Sequence, residues 1–156
     1  MEKPTIFVDA DSCASPARGA IAHEAAKHHI HAVFAANRAL PLPTSLVRSG
    51  WIRQELVGQQ KGAADEFIAS HARAGDVAVT RDLLLAERLL AQGVAVINDK
   101  GFVFSEGTLP ALLEERQLGL QMKALGVATG GKRRTYGKGD LAAFTLSFTS
   151  LLEAMT

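Results

Sequence analysis

Four aspartates carry the strongest chemical signal in the chain. Asp9 and Asp11 follow an apolar run in Phe7-Val8-Asp9-Ala10-Asp11-Ser12-Cys13, Asp65 follows Gly62-Ala63-Ala64, and Asp82 closes Val79-Thr80-Arg81-Asp82. Carboxylates forced close together raise one another's pKa, and a cation between them removes that cost. Hard oxygen donors suit Mg2+ or Mn2+. Asp65 and Asp82 also have a plain structural use, since acids are favoured at helix N-termini. Asp9 and Asp11, two acids directly after an apolar strand, have no such use. Together the four point to a divalent metal ion.

Other candidates lie near them in the pattern. Asn37 and Arg38 follow the second apolar run and are expected on the same rim as the acids, where Asn37 can orient a water, contact phosphate or simply make a turn. The loop Lys132-Arg133-Arg134-Thr135-Tyr136-Gly137-Lys138 suits a phosphate backbone, with Tyr136 stacking on a base. A solvated loop explains the same charges equally well. It is not a phosphate-binding Walker loop, and no G-x-G-x-x-G occurs, so a dinucleotide site is unsupported. Cys13 reads as a small buried residue beside the site. His28, His29 and His31 cluster at a helix end and read as surface.

The elements that must position these residues alternate in type. Strands are expected at Thr5–Val8, His31–Ala36, Trp51–Val57 (nearer an edge), Asp76–Thr80 and Val94–Asn98, with a short sixth at Phe102–Phe104. Helices are expected at Ala17–His28 behind a Ser15-Pro16 cap, Ala63–Ala72, Asp82–Gln92, Leu109–Leu125 and Leu141–Met155. Arg38 to Gly50 reads as irregular loop, and 126–139 as a Gly-rich basic loop. Strand and helix in alternation predict an α/β fold: one three-layer α/β/α domain over 1–156, with a mostly parallel sheet and the C-terminal helix packed on it. Right-handed crossovers then bring every strand-end loop to one rim, where such sheets bind ligands.

Composition limits the alternatives. A 156-residue chain, 47% hydrophobic and 21% charged, is ordinary for a globular domain. With 17 basic against 16 acidic residues and a net charge of +1, any steering must come from where charges sit. One cysteine excludes an internal disulfide and a Cys-rich zinc site. The absence of a signal-peptide pattern and of a membrane-length apolar run predicts a cytoplasmic protein with no membrane partner.

The sequence resembles the YaiI/YqxD proteins of bacteria, a largely uncharacterised group related to PIN-like nucleases. The likeness runs from about Phe7 to Phe148 and rests on Val8-Asp9-Ala10-Asp11-x-Cys13, Ala36-Asn37, Gly62-Ala63-Ala64-Asp65 before Ile68, and Gly75-Asp76-Val77-Ala78-Val79-Thr80-x-Asp82. It continues through Asn98-x-x-Gly101, Gly130-Gly131, and Asp140 with Phe144. The resemblance implies a PIN-like fold and metal-dependent phosphodiester hydrolysis with Asp9, Asp65 and Asp82 as catalytic metal ligands. Asp11 would then be an added ligand or a neighbour supporting one.

The chain also departs from that pattern. Asp99-Lys100 stands where relatives usually have proline and arginine, Gln117 where they have aspartate, and the fourth acid of typical PIN sites has no clear counterpart. The leading expectation is a Mg2+- or Mn2+-dependent nuclease acting on nucleic acid, RNA ahead of DNA. Two alternatives remain open. One is a haloacid-dehalogenase-type phosphatase with Asp9 as nucleophile, Asp11 as acid and Thr80 on phosphate. The other is a nucleic-acid-binding module with a degenerate site.

Overall fold

The structure, a computed structural model, describes residues 3–127 and 135–156. Five parallel strands form one sheet in the order β3-β2-β1-β4-β5: β1 Ile6–Asp9, β2 Ala32–Ala36, β3 Ile52–Leu56, β4 Val77–Val79 and β5 Ala95–Ile97. The inner strands are buried on both faces, as their unbroken apolar runs require. β3 carries Arg53, Gln54 and Glu55 and lies at the edge.

Alternate strand residues feed two cores. Ile6, Val8, Phe34, Val77 and Val79 pack with α1 (Ser15–His28) and α6 (Lys138–Met155), the latter through Phe144, Phe148 and Leu152. Phe7, Val33, Ala35, Ala78 and Val96 pack with α3 (Ala63–His71), α4 (Leu83–Ala91) and Leu109 of α5 (Leu109–Ala124). Burying each large apolar side chain contributes about 1.5–3 kcal/mol, so α6, with three of them at helical spacing, is held firmly to the sheet. The expected three-layer α/β/α arrangement is what the chain adopts.

Several expectations need correction. The stretch after Arg38 contains a short helix, α2 Thr44–Arg48, because Pro43 can precede a helix as readily as it breaks one. Phe102–Phe104 is not a strand: Val103 makes a single antiparallel bridge to Ile97. The residue capping α1 is Ala14, with Ser15 already helical and making no cap bond. α6 begins at Lys138 rather than Leu141, since the Gly137 N–H donates to the Asp140 carboxylate at 2.9 Å. No helix among the described residues is long and apolar enough to cross a membrane.

Candidate functional site

β1 and β4 are neighbours at the sheet centre, and the strand order turns back there. At such a switch point the loops beyond the two strand ends part and leave a crevice. Asp9 is the last residue of β1, Asp82 is the N-cap of α4, and Asp65 lies in the first turn of α3. Three acids remote in sequence thus reach the same rim.

Thr80, 1% exposed, fastens two of them. Its hydroxyl donates to Asp9 Oδ2 at 2.9 Å and accepts the Asp82 N–H at 3.0 Å. Ser12 Oγ also donates to Asp9 Oδ2, at 2.9 Å. Asp9 Oδ1 accepts no hydrogen bond among the described residues. Burial pushes the Asp9 carboxyl pKa up; the Ser12 and Thr80 hydrogen bonds oppose this, and the charges of Asp82 and Asp11 add to it.

Asp82 does have its expected structural role: its Oδ1 accepts the N–H groups of Leu84 and Leu85 at 2.9 and 3.1 Å. It does more than cap, however. The Asp65 carboxyl, half-buried and within hydrogen-bonding reach of Asp82, is pushed up to about 6, by burial first and then by the charges of Asp82 and Asp9. Asp65 makes no side-chain cap bond in α3. Arg88 draws it the other way, but that guanidinium is engaged with Glu66 at 3.0 Å.

Asp11 stands apart from this trio. It is exposed, and its Oδ2 accepts the Asn37 N–H at 2.9 Å. A cleft of about 200 Å3 passes Asp9, Asp11, Asn37 and Asp65 and is closed by Gly58–Gly62. The Asn37 and Arg38 carbonyls accept the side-chain amides of Gln59 and Gln54, so both residues sit at the rim with their side chains outside these bonds. Lys138 is exposed at the start of α6. Tyr136 is turned inward: its hydroxyl donates to the Asp99 carbonyl at 2.6 Å and its ring packs on the core, which leaves the expected base-stacking role without support. Lys132, Arg133 and Arg134 lie outside the described residues.

Among the described residues, no group of three or more His, Cys, Asp or Glu side chains is placed to hold a metal ion. A three-ligand protein site does not fit. Mg2+ is also held by one or two carboxylates completed by water and substrate phosphate, and Asp65 and Asp82 are the pair that would supply them here.

One residue was missed by sequence reasoning. Asp99, 1% exposed, accepts the Ala14 N–H at 2.8 Å and two bonds from the Arg81 guanidinium, through Nε at 2.9 Å and Nη2 at 2.5 Å. It joins the end of β5 to the start of α1 and to the loop that presents Asp82. Its signal was available, since it follows an apolar strand much as Asp9 follows β1. Cys13 is buried, and burial pushes its thiol up to about 12, so it is no nucleophile at neutral pH. Arg18 Nη1 donates to the carbonyls of Ala10 and Cys13, while its buried Nε has no partner among the described residues.

Comparison with known proteins places this geometry in a family context. The model of the family described as "Uncharacterized BCR, YaiI/YqxD family" matches residues 7–154. A UPF0178 protein of Myxococcus xanthus is 39% identical over 126 residues, covering 81% of this chain and 80% of its own. The UPF0178 protein of Treponema denticola is 34% identical over 147 residues, with 94% and 90% covered, and that of Treponema pallidum is 36% identical over 140 residues, with 90% and 76% covered. No solved structure matches.

Proposed function

The chain belongs to the YaiI/YqxD family, and we propose that it is a divalent-metal-dependent nuclease whose site is formed by Asp9, Asp65 and Asp82, with RNA the preferred substrate. The observation that carries this reading is the meeting of three carboxylates from separate crossovers at the switch point, where they act on one another's charge and no cation among the described residues is ion-paired to them. Asp65 and Asp82 would hold Mg2+ or Mn2+, with Asp9 Oδ1 available as a further donor. A metal ion in such a setting lowers the pKa of bound water and neutralises charge on a scissile phosphate.

The chain's own residues supply the rest. Thr80 and Ser12 hold the Asp9 carboxylate in one orientation. Thr80 sets its spacing from Asp82, and the α4 cap keeps Asp82 from turning away. Asp11 holds the Asn37 backbone and so shapes the mouth of the cleft, where Lys61 in the lining and Arg38 next to Asn37 would offer positive charge to a strand. The test is incubation of the purified protein with single-stranded RNA and DNA in Mg2+ or Mn2+. Metal-dependent cleavage that Asp9→Asn reduces by about 100-fold or more is expected; no cleavage of any of these substrates contradicts the reading.

Binding without cleavage is a second reading, favoured by the lack, among the described residues, of any three-ligand group placed to hold a metal ion. RNA retention that persists in chelator and in Asp9→Asn, with no hydrolysis, distinguishes it.

A further inference from the structure

The sheet edge opposite the carboxylates opens a groove of about 500 Å3. Phe7 and Val33 form its apolar floor, and Arg53, Arg73, Lys3 and His71 stand around it. The opening follows from the fold. α3 ends at His71 without covering β3, and Arg53 pairs in register with Val33, so its side chain stands beside the floor.

The cations here are poorly neutralised. Asp76, the acid in the wall, has both oxygens committed to backbone: Oδ1 to the Thr5 N–H at 3.0 Å and Oδ2 to the Arg73 N–H at 2.9 Å. The Arg73 guanidinium makes no ion pair or hydrogen bond among the described residues, and Lys3 donates only to the His28 carbonyl at 2.8 Å. Arg53 meets Glu55 in a solvent-exposed pair, which is readily exchanged for a better partner. Helix C-termini nearby explain His71 and Lys3 through the macrodipole. They do not explain Arg53, which sits on an edge strand.

A second cleft continues the groove through Lys3, Pro4, Thr5 and His31 and reaches Trp51, the only tryptophan of the chain. Its indole lies against His29 and His31, with centroids 5.2 and 4.7 Å away. Cations beside an apolar floor, leading to a planar aromatic cluster, match the chemistry of a nucleotide. We propose that this groove binds a phosphate-bearing ligand of nucleotide size, with the phosphate on Arg53 and Arg73 and the base directed toward His31 and Trp51. The site lies a strand length from the carboxylates, about 13 Å for the four residues of β1 at ~3.3 Å each. It stands independently of whether the acid rim cleaves anything.

Trp51 makes the test direct. The full chain is titrated with AMP, and separately with a short oligouridylate, in EDTA at low salt while Trp51 fluorescence is followed; equilibrium dialysis measures binding independently. Saturable binding is expected, weakened roughly tenfold by Arg73→Gln and by Arg53→Gln, as for loss of a charge-assisted contact, and unchanged by Arg116→Gln on exposed α5. Saturation by AMP identifies a free nucleotide as the source of the phosphate, and saturation by the oligomer alone identifies a strand. Binding of neither, or binding indifferent to both arginine substitutions, overturns the proposal.

Discussion

Asp82 carries two duties that substitution can separate. Asparagine caps a helix about as well as aspartate, so Asp82→Asn should leave thermal stability within about 0.5 kcal/mol of the parent while weakening divalent-cation binding. Asp82→Ala should lose both, with stability lower by ~1 kcal/mol. Thermal denaturation beside a Mn2+ titration reads the two effects. Asp65 gives a pH signature. Its folded pKa, pushed up to about 6, lies above the usual carboxylate value, so the folded chain binds the extra proton and is favoured at low pH. That stability is present below about pH 4 and is lost as pH rises through about 6. The effect stays within ~1 kcal/mol because the carboxyl is only half-buried and water screens it. Asp65→Asn should flatten the slope in metal-free thermal scans; an unchanged slope contradicts the assigned environment. The trio was legible in the sequence because each acid ends a strand or opens a helix. Asp99 shares that strand-end signal, but its role as a link depends on Ala14 and Arg81 arriving from other elements, which the sequence does not show.

Elements read well where one physical signal dominated and poorly where two competed. The apolar runs of β1, β2, β4 and β5 and the helical spacing of Phe144, Phe148 and Leu152 left little ambiguity. Pro41 and Pro43 concealed α2, and Gly137 and Gly139 concealed the first turn of α6, since the same residues that punctuate loops also start helices. Gly101 shows what sequence cannot rank. It sits at φ 92°, and a Cβ there would meet the Ala143 carbonyl oxygen of α6 at 2.7 Å. The approach is reinforced by Ser147 Oγ, which donates to the Gly101 carbonyl at 2.7 Å. Gly101→Ala should therefore cost about 1–3 kcal/mol in chemical denaturation, whereas Gly119→Ala, with open space at its Cβ, should not destabilise the chain.

At the scale of the molecule, a net charge of +1 conceals a separation of charge by edge. Asp9, Asp65 and Asp82 lie at the carboxyl ends of the strands, and Arg53, Arg73 and Lys3 lie toward the amino ends. A parallel sheet produces this separation, because every strand starts on one side and ends on the other, and strand alternation in the sequence was enough to predict the acid rim. The groove was hidden, since its cations come from the chain start, an edge strand and a turn with no shared motif. The account turns on the acid rim holding a cation, and a crystal soaked in Mn2+ and examined for anomalous scattering tests this most directly. A peak within coordinating distance of Asp65 and Asp82, absent from Asp65→Asn crystals, is the predicted result; a fully soaked crystal with no peak at that rim would contradict it.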